Sequence, residues 1–185
     1  PEMVILAAGM TVEELVADVR RRRRRAKAHG LPDGRTVGRL VVVDYIQQVP
    51  YDRRIFRSQD DGIGHISRTL SQLAQEENIA VLVCSQMNRD VERRDSQLPS
   101  LSDLRGSGTL EQDGKLIQAI HYPHNYDLNA DETRKEMHVL KNTQGEKGKY
   151  PVFWDPPTQT FCDSQFDLAR IRGYALQRYD YGEQR

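Results

Sequence analysis

The chain has 185 residues, enough for one well-packed core, and its 27 Lys and Arg equal its 27 Asp and Glu. That balance excludes attraction to a partner by bulk charge, so any nucleic-acid site must be a local patch. Two distant cysteines, Cys84 in an apolar run and Cys162 near the end, supply neither a disulfide framework nor metal-ligand spacing, which fits a reducing, cytoplasmic compartment.

No apolar stretch approaches the ~18 residues of a membrane span, and no charged-then-apolar leader opens the chain, so neither insertion nor export is expected. The sequence starts at Pro1 without Met, directly ahead of "MVILAAG", as the interior of a longer protein would. "MVILAA" reads as a buried strand. Gly9 and Thr11 then open a helix, with Thr11 as N-cap and Glu14 three residues on in the capping-box pattern, running to a stop at Gly30. This helix carries Arg20 to Arg25, six consecutive arginines. At about 100° per residue they sweep more than a full turn, so they cannot form one DNA-facing stripe. A solvated outer helix or a subunit contact is expected there, with the stems packed and the heads in water.

After the loop "LPDGRTVG" comes "RLVVVDYIQQVP", whose apolar run Leu40 to Val43 reads as a buried strand ending on Asp44. In open parallel sheets ligands gather outside the carboxyl ends of the strands, so an acid there either caps the strand or faces a bound ion or phosphate. Ile63, Ile66, Leu70, Leu73 and Ala74 recur at helical spacing and predict an amphipathic helix through about Glu77. "NIAVLVCSQ" follows, a second buried strand, and it ends on Gln86. Strand, helix, strand, helix, strand predicts a parallel sheet with right-handed crossovers.

Residues 87–113 are polar and rich in Gly and Ser, and read as a long functional loop. "KLIQAIHY", "KEMHVLKN", "KYPVFWD" and "TQTFCD" then predict four short strands pairing antiparallel at one side of the sheet. In "KEMHVLKN", alternation places Met137, Val139 and Lys141 on one face. The last stretch has weak helical spacing at Phe166, Ala169, Ile171 and Leu176 and reads as a tail. The expected division is a domain over 1–162 and a tail over 163–185.

Asp44 and Gln86 should share one sheet edge. An aspartate can hold the water shell of Mg²⁺, and a neutral amide on the next strand can hydrogen-bond a terminal phosphate. In "SDLRGSGTLEQDGKLI" the glycines let backbone N–H groups approach phosphate oxygens and Arg105 adds a charged fork, although an ordinary Gly/Ser turn would look the same.

The succession "VVVDYIQQV", "VLVCSQMNR", "SDLRGSGTLEQDGKLI" and "VLKNTQGEKG" resembles, in order and spacing, the C-terminal motor domain of DnaB-type replicative DNA helicases, over roughly residues 3–162. The resemblance implies an α/β, RecA-like P-loop NTPase core: a mostly parallel sheet flanked by helices, with antiparallel strands at one side, here incomplete. It implies ATP and Mg²⁺ as cofactors, hexameric rings around single-stranded DNA, 5′-to-3′ unwinding, and a helicase loader or primase as further partner. By resemblance Asp44 is the Walker B aspartate and Mg²⁺ contact, Gln86 the phosphate sensor, and Lys141 the basic residue reaching a neighbour's nucleotide. Arg105, Gly106, Ser107 and Gly108 fall in the loop that grips the DNA backbone.

Three departures stand beside it. No G-x-x-x-x-G-K-[ST] string occurs, "GEKGKY" having the wrong spacing, and the family's catalytic glutamate belongs to a segment ahead of the Asp44 strand that is absent here. Thr143 stands where the family carries its arginine finger, and Gly106 where it often carries an acid. The expectation is a divergent or phage-borne helicase motor, inactive as an ATPase when this chain is alone. A degenerate, non-hydrolysing ring component or loader-binding module is the rival, and a recombinase or clock-type RecA-like ATPase is disfavoured by "SDLRGSGTLEQD".

Overall fold

In a computed structural model, the structure describes residues 9–28, 40–104, 107–164, 167, 169 and 170. It divides into two compact units, Pro1–Asp90 with Leu101–Gly114, and Val91–Ser100 with Lys115–Arg185. The strand expected over 3–8, the stop at Gly30 and the tail beyond Arg170 lie outside the described residues.

The first unit begins with helix α1, Val12–Ala28. Its entry is the expected capping box: the Glu14 N–H donates to Thr11 Oγ1 at 3.3 Å and the Thr11 N–H donates to Glu14 Oε2 at 2.8 Å. Gly9, two residues earlier, has φ +90°, a backbone conformation that a side chain would strain. Strand β1, Leu40–Val43, leads to helix α2, Gln59–Glu77, and then to strand β2, Ala80–Val83. Ser58 caps α2 by accepting from the Asp61 N–H at 3.0 Å, and Asn78 closes it in the left-handed region. Strands β1 and β2 pair in parallel, Leu40 opposite Ala80 through Val43 opposite Val83.

Ile63, Ile66, Leu70 and Leu73 of α2 meet Val12 and Val19 of α1 and Val41 and Val43 of β1 in one core, completed by the fully buried Ile46. Each such side chain contributes about 1.5–3 kcal/mol when fully buried. β1 departs from the expected buried strand. Val41 and Val43 are buried, but Leu40 and Val42 are more than half exposed, as is Leu82 of β2. Alternate residues of a strand point to opposite faces, and among the described residues of this unit the helices cover one face of the pair.

The arginine run lies on an outer helix, with Arg21, Arg22, Arg24 and Arg25 exposed. Arg20 binds Glu76 and Arg23 donates to Glu77 at 3.0 Å, lacing α1 to the last turn of α2. Arg21 and Arg22 both bind Asp18, one turn back on α1. Asp18 is screened from solvent by those two side chains, and its carboxyl is held below the usual range, Arg22 first and then Arg21 favouring the charged form.

The expected loop over 87–113 is only partly a loop. A seven-residue helix, α3, runs Ser107–Asp113 and is seated on α2. Ser67 Oγ donates to Asp113 at 2.6 Å, and a Cβ on Gly64 would lie 3.0 Å from Thr109 Oγ1. Leu110 packs on the core. One core-packed leucine and a close glycine approach decide the conformation where composition had suggested none.

The second unit is a four-stranded antiparallel sheet in the order β3, β4, β5, β6, with β3 Leu116–His121, β4 Arg134–Asn142, β5 Gly148–Asp155 and β6 Thr160–Cys162. All four expected strands are present and pair antiparallel with one another; among the described residues they form a sheet of their own and have no ladder to β1 or β2. Pro151 of β5 lies beyond the reach of β6, which pairs only with Phe153–Asp155, so its missing N–H removes nothing from that ladder. The turn between them is held by the buried Asp155, whose Oδ2 accepts from the Thr158 hydroxyl at 2.6 Å.

β4 carries a correction. Ile117 faces Lys141 but Gln118 faces Val139, so Leu140 is an extra residue and the ladder is bulged there. Unbroken alternation therefore does not run from Val139 to Lys141, and the shared face expected for Met137, Val139 and Lys141 stops at Val139.

Candidate functional site

Asp44 follows β1 directly and is exposed. Its surroundings are set by the backbone of the neighbouring strand. The Cys84 N–H donates to Val43 O at 2.9 Å and the Ile46 N–H donates to Cys84 O at 3.0 Å, so Cys84 grips the chain on both sides of the Asp44–Tyr45 pair. Desolvation first, and then the nearby Asp44 carboxylate, pushes the Cys84 thiol up, although the residue keeps contact with solvent.

Gln86 emerges three residues past the end of β2, on the same edge as Asp44. Its N–H donates to Gln47 Oε1 at 3.3 Å, and Gln47 Nε2 donates to Ser85 Oγ at 2.9 Å. The two strand ends that carry Asp44 and Gln86 are thus brought together. Gln47 sits in a short 3₁₀ turn, Ile46–Gln48, anchored by the fully buried Ile46.

The segment after Gln86 pairs with Asp103 and Leu104. Met87 forms an isolated antiparallel bridge with Leu104, and the Asn88 N–H donates to Asp103 O at 2.7 Å. Leu104 immediately precedes Arg105. Arg105 and Gly106 lie outside the described residues, and Ser107 and Gly108 form the first turn of α3. Among the described residues, a Cβ on Gly108 would meet nothing within 4 Å.

Lys141 belongs to the other unit, opposite Ile117 near the end of β4. Thr143 is exposed in the following turn, its N–H donating to Lys115 O at 3.0 Å.

No group of three or more His, Cys, Asp or Glu among the described residues could cage a metal ion. A magnesium ion needs no such cage: it keeps several waters and takes one or two carboxylates together with substrate phosphates. The exposed Asp44 carboxylate, a hard oxygen donor at a strand edge, fits that role.

Sequence reasoning placed Asp44 and Gln86 correctly at one edge but passed over Gln47 and Ser85. Their meeting depends on the parallel register, Val43 opposite Val83, which brings the third residue after Asp44 against the second and third after Val83.

A family model for the DnaB-like helicase C-terminal domain matches residues 2–163. The chain belongs to this family. A relative described as replicative DNA helicase DnaB, from Leifsonia xyli subsp. xyli, is 32% identical over 155 residues, covering 83% of this chain and 32% of the relative. Among solved structures, that of a DnaB-like replicative helicase and its interactions with primase superposes with a TM-score of 0.74 at 28% identity, covering 87% of this chain and 36% of that one. A second solved structure, described as an ATPase domain, superposes with a TM-score of 0.72 at 27% identity, covering 85% of this chain and 52% of that one. The fold is that of DnaB-like helicase ATPase domains, an α/β fold with the RecA-like core the sequence led one to expect. The chain spans about a third of the length of this curated relative. No helix among the described residues is long and apolar enough to cross a membrane.

Proposed function

We propose that this chain forms part of the motor of a replicative DNA helicase, which hydrolyses ATP to move 5′-to-3′ along single-stranded DNA as a hexameric ring. The observation that supports it best is the continuous tie from the Asp44 turn, through Gln86, to the base of the 105–108 loop. A motor needs such a tie between the place where phosphate is lost and the place where the track is held.

Asp44 would hold Mg²⁺ through its water shell, and the ion would supply positive charge against the transferring phosphoryl group. The Gln86 carboxamide hydrogen-bonds the terminal phosphate and loses that partner on hydrolysis. Its displacement passes through Met87 and Asn88 to Leu104 and Asp103, and so to Arg105. Arg105, with backbone N–H groups of Gly106, Ser107 and Gly108, holds phosphates of the strand without reading bases, and the open space around Gly108 admits close approach. Lys141 reaches the nucleotide of an adjacent subunit, and Thr143 occupies the arginine-finger position. Residues 1–162 form the motor portion and 163–185 a tail; a primase or a loader is the further partner. A non-hydrolysing module is not favoured, the relatives being replicative helicases.

The test is binding of fluorescent oligonucleotides to the full-length protein from 50 to 200 mM salt. Affinity should fall steeply with salt and vary little with sequence, because phosphate contacts release counterions. Arg105→Ala should weaken all sequences about equally and lower the salt slope by about 1. Unchanged binding at matched salt and assembly state would return the loop to an ordinary turn.

A further inference from the structure

The ladder between β1 and β2 ends at Cys84, whose carbonyl accepts from Ile46. Two parallel strands have no turn joining their ends, so beyond this point the chains are free to part unless a side chain intervenes. Gln47 intervenes. A carboxamide carries one acceptor and an NH₂ donor, the same pair of functions as a peptide group, and here both are used: the acceptor on the Gln86 N–H, the donor on the Ser85 hydroxyl. The orientation follows from chemistry, because a backbone N–H can only donate and so must face Oε1.

The base from which Gln47 reaches is rigid. In its turn the Gln48 N–H donates to Tyr45 O at 3.0 Å and the Val49 N–H to Ile46 O at 3.1 Å, with Ile46 fully buried beneath. The position of the Gln86 backbone is therefore referred directly to the turn that begins at Asp44. On its far side the same segment is held by the shorter 2.7 Å bond from Asn88 to Asp103. Of the two ties, the 3.3 Å bond to Gln47 is the longer.

We infer that Gln47 is a positioning residue for hydrolysis: its carboxamide adds one rung beyond the β1–β2 ladder and sets the resting position of Gln86 relative to Asp44. This rests on the reading of Asp44 and Gln86 given above. Gln47 acts through the Gln86 backbone that it holds.

The experiment uses the full-length assembled protein and compares Gln47→Leu, Gln47→Glu and Gln86→Ala. Steady-state ATP hydrolysis with and without single-stranded DNA is measured beside amide hydrogen exchange in peptides covering residues 44–48 and 83–88. Leucine removes both functions; glutamate keeps the acceptor for Gln86, while the Ser85 hydroxyl turns to donate to it. Gln47→Leu should speed exchange at Gln86 about tenfold, near the weight of one net hydrogen bond, and leave the Ile46 and Cys84 amides protected. DNA-stimulated kcat should fall about tenfold with KM for ATP moving less than about threefold, and Gln47→Glu should restore the protection and most of the kcat. A kcat within about twofold of wild type while Gln86 exchange rises would overturn the inference, as would equal impairment by Leu and Glu or general loosening that includes Ile46 and Cys84. If Gln86→Ala itself turns over normally, the reading of Gln86 fails and Gln47 falls with it. If Gln86→Ala is inactive and Gln47→Leu is not, the inference about Gln47 alone fails.

Discussion

Gly62 offers a sharp test of how the Asp44 segment is seated. It is buried in the first turns of α2, and a Cβ added there would lie 2.7 Å from Cδ1, Cδ2 and Cε2 of Tyr51. Carbon atoms are at rest near 3.5–4.0 Å, so the ring must retreat by about 1 Å. It has little room to do so, since Tyr51 meets Phe56 edge-on at 6.3 Å and Phe56 stacks on His65 at 4.6 Å. Against this, Gly→Ala in a helix interior gains about 0.8–1.0 kcal/mol of propensity. Overpacking typically costs about 1–3 kcal/mol, so strain wins and Gly62→Ala should destabilise the chain by about 1–2 kcal/mol, lowering Tm by roughly 2–6 °C. Urea and thermal unfolding would measure it. In a Tyr51→Ala background the obstacle is gone, and the same substitution should stabilise by about 0.5–1 kcal/mol. Stabilisation in the wild-type background, or equal loss in both, would refute the packing argument.

Asp18 predicts an acid-side effect. A carboxyl whose folded pKa lies below its unfolded value stabilises the fold at pH above the unfolded value of about 3.9, and that contribution is lost as pH falls through the folded pKa. Asp18→Asn should therefore cost stability at pH 7, by no more than about 1 kcal/mol because Arg21 and Arg22 are largely exposed, and the gap between variant and wild type should close as pH falls below the unfolded value and through the lowered folded one. A gap that persists unchanged in acid, measured by urea unfolding, would show that Asp18 acts through something other than its charge. At Thr143, exposed and with its N–H donating to Lys115 O, Thr143→Arg in the full-length assembled protein should leave Tm within about 1 °C and speed hydrolysis if the rest of the site is intact. A fast parent slowed by this change, with Lys147→Ala abolishing turnover, would move the finger to Lys147.

What was legible in the sequence was local. The Thr11–Glu14 capping box and the apolar stripe Ile63, Ile66, Leu70, Leu73 require only neighbours three or four residues away, and both appear as read. Asp44 and Gln86 were legible because each follows an apolar run that could only be a strand. The exposure of Leu40 and Val42 was not, since hydrophobicity records what a residue prefers to meet and not which face is covered. The bulge at Leu140 and the seating of α3 against Gly64 depend on pairing and close approach between segments far apart in sequence, for which composition carries no signal. Gln47 was hidden for the same reason: its two partners, Ser85 and Gln86, are thirty-eight and thirty-nine residues away. Relatives supply the family but leave each residue's part to be tested.

The most direct measurement is phosphate release by the full-length assembled protein with saturating single-stranded DNA, wild type beside Asp44→Asn. Asparagine has nearly the same shape, and at an exposed position it should leave folding and assembly intact. On the proposed role of Asp44, losing the carboxylate would leave the water shell of Mg²⁺ without its anchor. Turnover should fall to background while the strand is still bound. Turnover close to wild type, in a ring that assembles and binds DNA normally, would contradict the placing of Asp44 at the phosphate end of a nucleotide site.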